Sequence, residues 1–246
     1  CYRDRYTMIP LQKWFFQEAF YGNDQLRQRV TWALWQILVT SGVTTQQSSH
    51  AIAYHKILAD NAFGNYRQLL EDVTLSPTMG NYLDMARSTK DNPNENYPRE
   101  ILQLFSIGLF ELNQDGTVKL DGQGNPIPSY DQATINNFSK VFTGWVYCNV
   151  GCPNSTSGSL NFKDPMVLVP ANHDLTAKTL LSYPGAVGQT IDACPKCSDN
   201  TTINQYAYNS LHTALDNIFN HPNVGPFIAK ALIQHLVTSD PSPAYV

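Results

Sequence analysis

The sequence predicts a mainly α fold: a single orthogonal multi-helix domain with one or two short β-hairpins and a long irregular insertion. Three observations carry that expectation. Apolar residues recur at helical spacing through most of the first 112 positions and again beyond position 200, Pro, Ser and Asn sit where helices begin, and residues 146–200 show no sustained period. The expected organisation is one domain over 1–246, with a helical core at 8–112 and 129–145, a loop-rich insertion at 146–200 and C-terminal helices at 201–238.

In chain order, Pro10 suits a first helical turn, Leu11, Trp14, Phe15 and Ala19 share one side, and Gly22 ends the segment. Asn23 is a credible N-cap for DQLRQRVTWALWQILV. Its two apolar stripes, Leu26/Val30/Ala33/Leu34/Ile37 and Trp32/Trp35/Val39, predict a central helix buried on most sides. Ser49 caps a third helix to Asp60, Gly64 separates a fourth around Leu69, Leu70 and Val73, and Ser76-Pro77 opens a fifth. ILQLFSIGLFEL at 101–112 reads as a strong helix with Ile101, Leu104, Phe105 and Leu112 on one face. A short β-excursion then turns at Asp115-Gly116 and Gly124-Asn125, and a helix follows over QATINNFSKVF. MVLV and KTLL are candidate strands, and INQYAYNSLHTALDNIF and NVGPFIAKALIQHLV are the last helices.

Composition narrows the class. The 246 residues are 42% hydrophobic and 15% charged with no 18-residue apolar run, which predicts a soluble globular protein without a membrane span. A net charge of −4 with no basic block removes the electrostatic footprint of a nucleic-acid binder. The 21 Asn and 15 Gln equal the 36 charged residues in number, and only five of 20 acids are Glu. Amide-rich surfaces of this kind accompany exported proteins, so a secreted or periplasmic location is expected. The chain begins at Cys1 without an initiator Met and stops at SDPSPAYV, which reads as a mature form, a domain or a fragment; a lipidated Cys1 is a further reading.

Cys148 and Cys152 lie in one Gly/Asn/Ser-rich loop, Cys194 and Cys197 in another. Thiolate pairs on two loops suit a structural zinc, and crosslinks suit flexible loops, so disulfides and zinc are both open, with disulfides preferred. No other cofactor is expected. Glu111-x-Asn113-x-Asp115-Gly116 imitates the front of a calcium loop, but the twelfth position is Gly122, which favours a plain turn. GxSxG, Walker, GxGxxG and HExxH motifs do not occur.

The strings LRQRVTWALWQILVTSG, NAFGNYRQLLEDVTLSPTMGNYLDM, NPNENYPREILQLFSIGLFELNQDGT, YDQATINNFSKVFTGW, NHDLTAKTLL and LDNIFNHPNVGPFIAKALIQHLVTSDPSPAYV resemble the bacterial domain-of-unknown-function family 1800. The resemblance runs along nearly the whole chain. It implies a mainly helical, exported bacterial protein, often encoded beside a second exported protein of unknown function and commonly longer at both ends. It implies no reaction, and the four paired cysteines are not part of it.

Candidate chemistry comes from the residues. Asn94, Glu95, Arg99 and Glu100 gather at a loop-to-helix junction, with Asp84 before it and His173-Asp174 after it. Two carboxylates there can act as general acid and base if their surroundings separate their pKa values. Glu100 borders the apolar stripe and is the one whose protonated form burial would favour. Glu95 has a structural alternative as a capping carboxylate after Asn92-Pro93, or as the i,i+4 partner of Arg99; Pro98 moves the expected helix start toward itself. Tyr97, Tyr130, Tyr147 and Trp145 are candidate sugar platforms, whereas Trp14, Trp32 and Trp35 are expected in the core. The NENYPRE junction and the His173-Asp174 loop are expected to meet and form the main polar pocket. Two functions follow as alternatives. One is a secreted hydrolase of polysaccharide using Glu100, Glu95, Asp174 and His173, with Asn94, Arg99, Tyr97, Trp145 and Asp84 binding substrate. The other is a non-enzymatic exported module that binds a partner protein or a cell-surface polymer. Converging, partly buried carboxylates would mark the first; the same residues tied up in caps and ion pairs would mark the second.

Overall fold

A computed structural model describes residues 8–44, 48–156 and 159–246. Cys1 lies outside the described residues. The mainly α expectation holds: among the described residues there are nine α-helices and two two-stranded sheets built from strands of two residues each. The chain divides into two compact units, Cys1–Arg87 with Trp145–Val167, and Ser88–Gly144 with Leu168–Val246.

In the first unit, α1 (Ile9–Tyr21) carries Pro10 in its first turn and ends at Gly22, as expected. The next helix, α2 (Gln25–Ile37), starts after Asp24 rather than Asn23, and the Asp24 carboxylate holds Arg27 at 2.8 Å. α3 (Ser48–Asp60), α4 (Tyr66–Thr74) and α5 (Pro77–Tyr82) follow. The Asn65 side chain accepts the Arg67 amide at 2.8 Å and satisfies a donor that the first turn of α4 cannot. Leu34, Leu38, Tyr54, Leu58, Leu69, Leu70, Val73 and Met79 make the core of this unit. Burying each such side chain stabilises the fold by roughly 1.5–3 kcal/mol.

The expected all-round burial of α2 is corrected. Ala33, Leu34 and Ile37 are inside, but Leu26 is 66% and Trp32 47% exposed, and Trp14 on α1 is 39% exposed. Both stripes have partners, the Trp32 ring lying 4.9 Å from Phe15 of α1 and the Trp35 ring 5.9 Å from Tyr54 of α3, but a contact on one side leaves the rest of a large side chain in water. The unit also holds β1 (Trp145–Val146) and the Cys148–Cys152 disulfide. Asn161 braces that loop, its amide donating to the Cys148 carbonyl at 2.8 Å and to Asp164 at 2.6 Å.

The second unit opens with α6 (Asn96–Gln103). Here the expected helix over 101–112 is corrected, because it stops nine residues early. Gly108 has φ +72°, a conformation that the residues of a continuing helix do not take, and a Cβ there would lie 2.8 Å from the Phe227 ring. Beyond it the chain becomes the expected β-excursion, bridged at Phe110–Pro128, Leu112–Val118 and Leu120–Pro126. α7 (Gln132–Val141) starts on Asp131, which accepts the Thr134 amide at 2.8 Å. β2 (Val167–Leu168) begins at the last residue of the first unit; in the second, β3 (Lys178–Thr179) pairs antiparallel with β4 (Thr190–Ile191), Lys178 opposite Ile191. α8 (Asn200–Phe219), capped by Asp199, and α9 (Val224–Leu236) complete the unit.

Both cysteine pairs are disulfides, Cys148–Cys152 and Cys194–Cys197, so in this form none of the four sulfurs is a thiolate that zinc could bind. Sequence separations of four and three close very short loops, for which the chain-entropy effect is only about 2 kcal/mol.

Two buried asparagines do more. Asn217 on α8 accepts the Leu181 amide at 2.9 Å and donates to the carbonyls of Leu181 at 3.0 Å and Val187 at 2.8 Å. Asn223, just before α9, accepts the Leu112 amide at 2.9 Å and donates to Ile107 and Phe110 carbonyls, each at 2.8 Å. Replacing Asn217 by Leu strands three backbone groups, each costing about 1–3 kcal/mol when left unpaired. Urea unfolding of Asn217→Leu is therefore expected to show a loss of at least about 3 kcal/mol; a loss below about 1 kcal/mol would mean that those groups reach water.

Candidate functional site

Two polar clusters flank α7, one at each end. At its start, Glu95 and Arg99 lie one turn apart on the entry to α6 and pair at 2.9 Å, the i,i+4 contact read from the sequence. Gln132, the first residue of α7, donates to Glu95 at 2.9 Å and accepts from Arg99 at 3.1 Å. α6 starts at Asn96, close to Pro98, so Asn92 does not cap it. Asn94 is used locally: its amide N–H donates to Ser88 Oγ at 3.0 Å, and its side-chain oxygen accepts the Asn96 amide at 2.8 Å.

Glu100 makes no hydrogen bond in this network. Its Oε2 is buried without a hydrogen-bond partner, and burial raises its pKa, with Arg99 opposing. Tyr130, immediately before α7, also has a buried hydroxyl without a partner. Burial raises the Tyr130 pKa; Arg99 lowers it and Glu100 raises it, which puts all three within electrostatic reach. Beside them a cleft of about 530 Å³ is lined by Ser129, Tyr130, Thr134, Asn137, Thr179 and Ser182, among others. Its hydroxyls, one amide and one phenol ring form an uncharged hydrogen-bonding surface, with Asp131 already spent on the helix cap.

At the other end of α7, His173 is 1% exposed and its Nδ1 lies 2.8 Å from the Thr143 carbonyl. Nδ1 must donate there, leaving the lone pair on Nε2, which is buried without a partner. Burial pulls the His173 pKa down to about 4, against the Thr143 carbonyl. The Asp174 amide donates to Thr143 Oγ1 at 2.9 Å, and its carboxylate accepts the Thr176 amide at 2.8 Å and hydroxyl at 2.6 Å. The fully buried Lys178 ammonium completes the knot, 3.2 Å from Asp174 Oδ1 and donating to the Asp174 and Thr176 carbonyls at 2.8 and 2.7 Å. Burial pushes the Asp174 pKa up, but Thr176 and then Lys178 outweigh it and hold the group below its usual range.

Lys90, four residues before the NENYPRE junction, donates its amide to the Asn172 carbonyl at 2.8 Å, which brings the lead-in to that junction beside the His173 loop. The expected joint pocket is corrected, however. Glu100 is near Tyr130 before α7, and His173 is tied to Thr143 after it; ten helical residues rise about 15 Å between them. Tyr97 is fully buried with its edge on Phe142, so it offers no substrate platform, and Trp145 is likewise fully buried. Asp84 belongs to the first unit, with φ +58° and a 3.0 Å pair to Arg87. Gln132 and Lys178 were missed: one is an ordinary surface amide in sequence, the other sits in a stretch read as a strand. Only the alternation of that strand, with Lys at an inward position, hinted at burial. Glu111-x-Asn113-x-Asp115-Gly116 is a turn, with Asp115 accepting the Thr117 amide at 3.0 Å. Among the described residues no group of three His, Cys, Asp or Glu side chains is placed to hold a metal, and no helix is long and apolar enough to cross a membrane.

With His173 held neutral near pKa 4 in the fold and titrating near 6.5 when unfolded, the unfolded chain binds the extra proton between those values. Stability is then fully present above pH 6.5 and falls as pH drops toward 4. His50 and His221, also held at about 4 by burial, add in the same direction. Denaturant titrations across this window are expected to show His173→Gln losing one proton's share of the slope, about 1.4 kcal/mol per pH unit; an unchanged slope would place the proton elsewhere.

The family model described as "Protein of unknown function (DUF1800)" matches residues 2–246. No curated protein and no solved structure matches the chain.

Proposed function

Because the chain belongs to the DUF1800 family, whose function is unknown, we propose from its own geometry that it is a non-enzymatic, exported module that binds a cell-surface polysaccharide. What supports this is the engagement of the candidate catalytic groups. Glu95 is held by Arg99 and Gln132, Asp174 by Thr176 and Lys178, and His173 is sealed from solvent with Nδ1 on a backbone carbonyl. Glycoside hydrolysis needs a protonated acid and a second free carboxylate facing one bond. Glu100 meets only the first requirement.

The cleft at the start of α7 supplies the binding surface. The exposed hydroxyls of Thr179 and Ser182, with the remaining hydrogen-bonding capacity of Thr134 and Asn137 beyond their bonds to Asp131 and the Ala133 carbonyl, suit a ligand made of hydroxyls, and the Tyr130 ring adds an apolar face of the kind sugars stack on. Two disulfides on loops are compatible with the oxidising compartment that export implies. A second reading, hydrolysis with Glu100 as acid, is favoured by one feature alone: the buried, unpartnered Oε2 and the raised pKa that goes with it.

Calorimetric titration with soluble bacterial cell-wall polysaccharides is expected to show saturable binding that falls at least tenfold in Asn137→Ala and Thr134→Val. Reducing-end assays on the same mixtures are expected to show no release. Release that disappears in Glu100→Gln while the melting temperature holds would replace this reading with the hydrolase.

A further inference from the structure

We propose that Cys194-Pro195-Lys196-Cys197 is a thiol–disulfide exchange site for cysteine-bearing peptides, a function separate from polymer binding and resting on different residues. The two sulfurs close a ring over only two intervening residues. Hydrogen bonds already hold that turn without the crosslink. The Cys197 amide donates to the Cys194 carbonyl at 3.1 Å, and the Cys194 amide to the Leu175 carbonyl at 2.9 Å. On either side, the Tyr206 hydroxyl donates to the Asp192 carbonyl at 3.0 Å, and Asp199 is fixed as the cap of α8. Opening the disulfide therefore leaves the scaffold, and both sulfurs, in place for reclosure.

Access is also provided. Both cysteines are partly exposed, Pro195 is exposed, and a cleft of about 340 Å³ opens beside Cys194, bordered by Thr190, Asp192, Ala193, Tyr206 and Asn209. The other pair has one partly exposed cysteine, Cys152, but differs at its second cysteine and, among the described residues, in having no such cleft beside it. Cys148 is 3% exposed, Asn161 holds its carbonyl, and the Cys152 carbonyl accepts from both the amide and the hydroxyl of Ser155. One disulfide is embedded in a bonded loop, and the other stands at the edge of a cleft.

In the exchange, a peptide thiolate in the cleft attacks Cys194 Sγ. The S–S bond breaks, Cys197 leaves as a thiolate and takes a proton from water, and a mixed disulfide joins Cys194 to the peptide. A second thiolate of the same peptide then attacks the peptide's own sulfur and releases Cys194. The peptide dithiol has lost two electrons and two protons, and the protein disulfide has gained them, one equivalent per chain.

The whole chain, incubated in graded mixtures of reduced and oxidised glutathione, quenched by alkylation and read by mass spectrometry, is expected to open Cys194–Cys197 at ratios that leave Cys148–Cys152 closed. In parallel, Cys197→Ser and Cys194→Ser, checked for an unchanged circular dichroism spectrum, are mixed with a peptide carrying an activated disulfide. Cys197→Ser, which keeps Cys194 at the cleft, is expected to form the mixed disulfide at least tenfold faster. Opening of both pairs together, persistence of the 194–197 bond beyond the other, or equal rates in the two variants would overturn the proposal.

Discussion

A buried backbone N–H or C=O must find a partner, and where this chain leaves regular structure that partner is repeatedly an asparagine side chain. Asn217 closes the 181–187 loop onto α8, Asn223 gathers the carbonyls after α6, and Asn161 secures the first disulfide loop. An amide carries both a donor and an acceptor on a short, stiff stem, so one residue can take the place of a strand's worth of pairing. The high asparagine content thus has an internal use as well as a surface one. Helices α8 and α9 are the anchors from which irregular backbone is held.

The same economy shapes two of the strings that carry the resemblance to the family. TGW and HD meet: the Thr143 carbonyl receives His173, its hydroxyl receives the Asp174 amide, and Gly144, at φ +83°, lets the chain pass where a Cβ would sit 3.0 Å from the His173 amide. Ser88 joins them, its carbonyl accepting the Gly144 amide and its hydroxyl the Asn94 amide. His173 and Asp174, candidates for catalysis by residue type, bolt a turn-rich junction. His173 Nε2 is left without a partner at this junction, and two further under-satisfied groups, Glu100 and Tyr130, stand at the opposite end of α7, near the cleft.

Local chemistry was legible in the sequence and distant chemistry was not. Pro10 and Ser76-Pro77 mark helix starts and Gly22 a helix end because caps and first turns are decided within four residues, and the Glu95–Arg99 pair follows from one helical turn. The end of α6 was illegible because it depends on Phe227 and Asn223, more than a hundred positions away. The exposure of Trp32 escaped for a related reason: periodicity tells which residues share a face, not how much of a large ring its neighbour, here Phe15, covers. Lys178 defied its type, since a buried lysine is rare and becomes tolerable only when two carbonyls, a carboxylate and a phenol converge on it. At the candidate site, Glu100 as the perturbed carboxylate could be read from its place beside the apolar stripe. Its neighbour Tyr130 comes from a loop that nothing local aims at α6.

Amides neither titrate nor attract counterions. A fold whose loops are latched by asparagine therefore keeps those latches in brine and in dilute medium alike, where latches made of ion pairs would be screened or protonated. Neutrality of the fastener is thus a form of weatherproofing, and it places the molecule's sensitivity to its medium in a few buried histidines rather than in these loop latches.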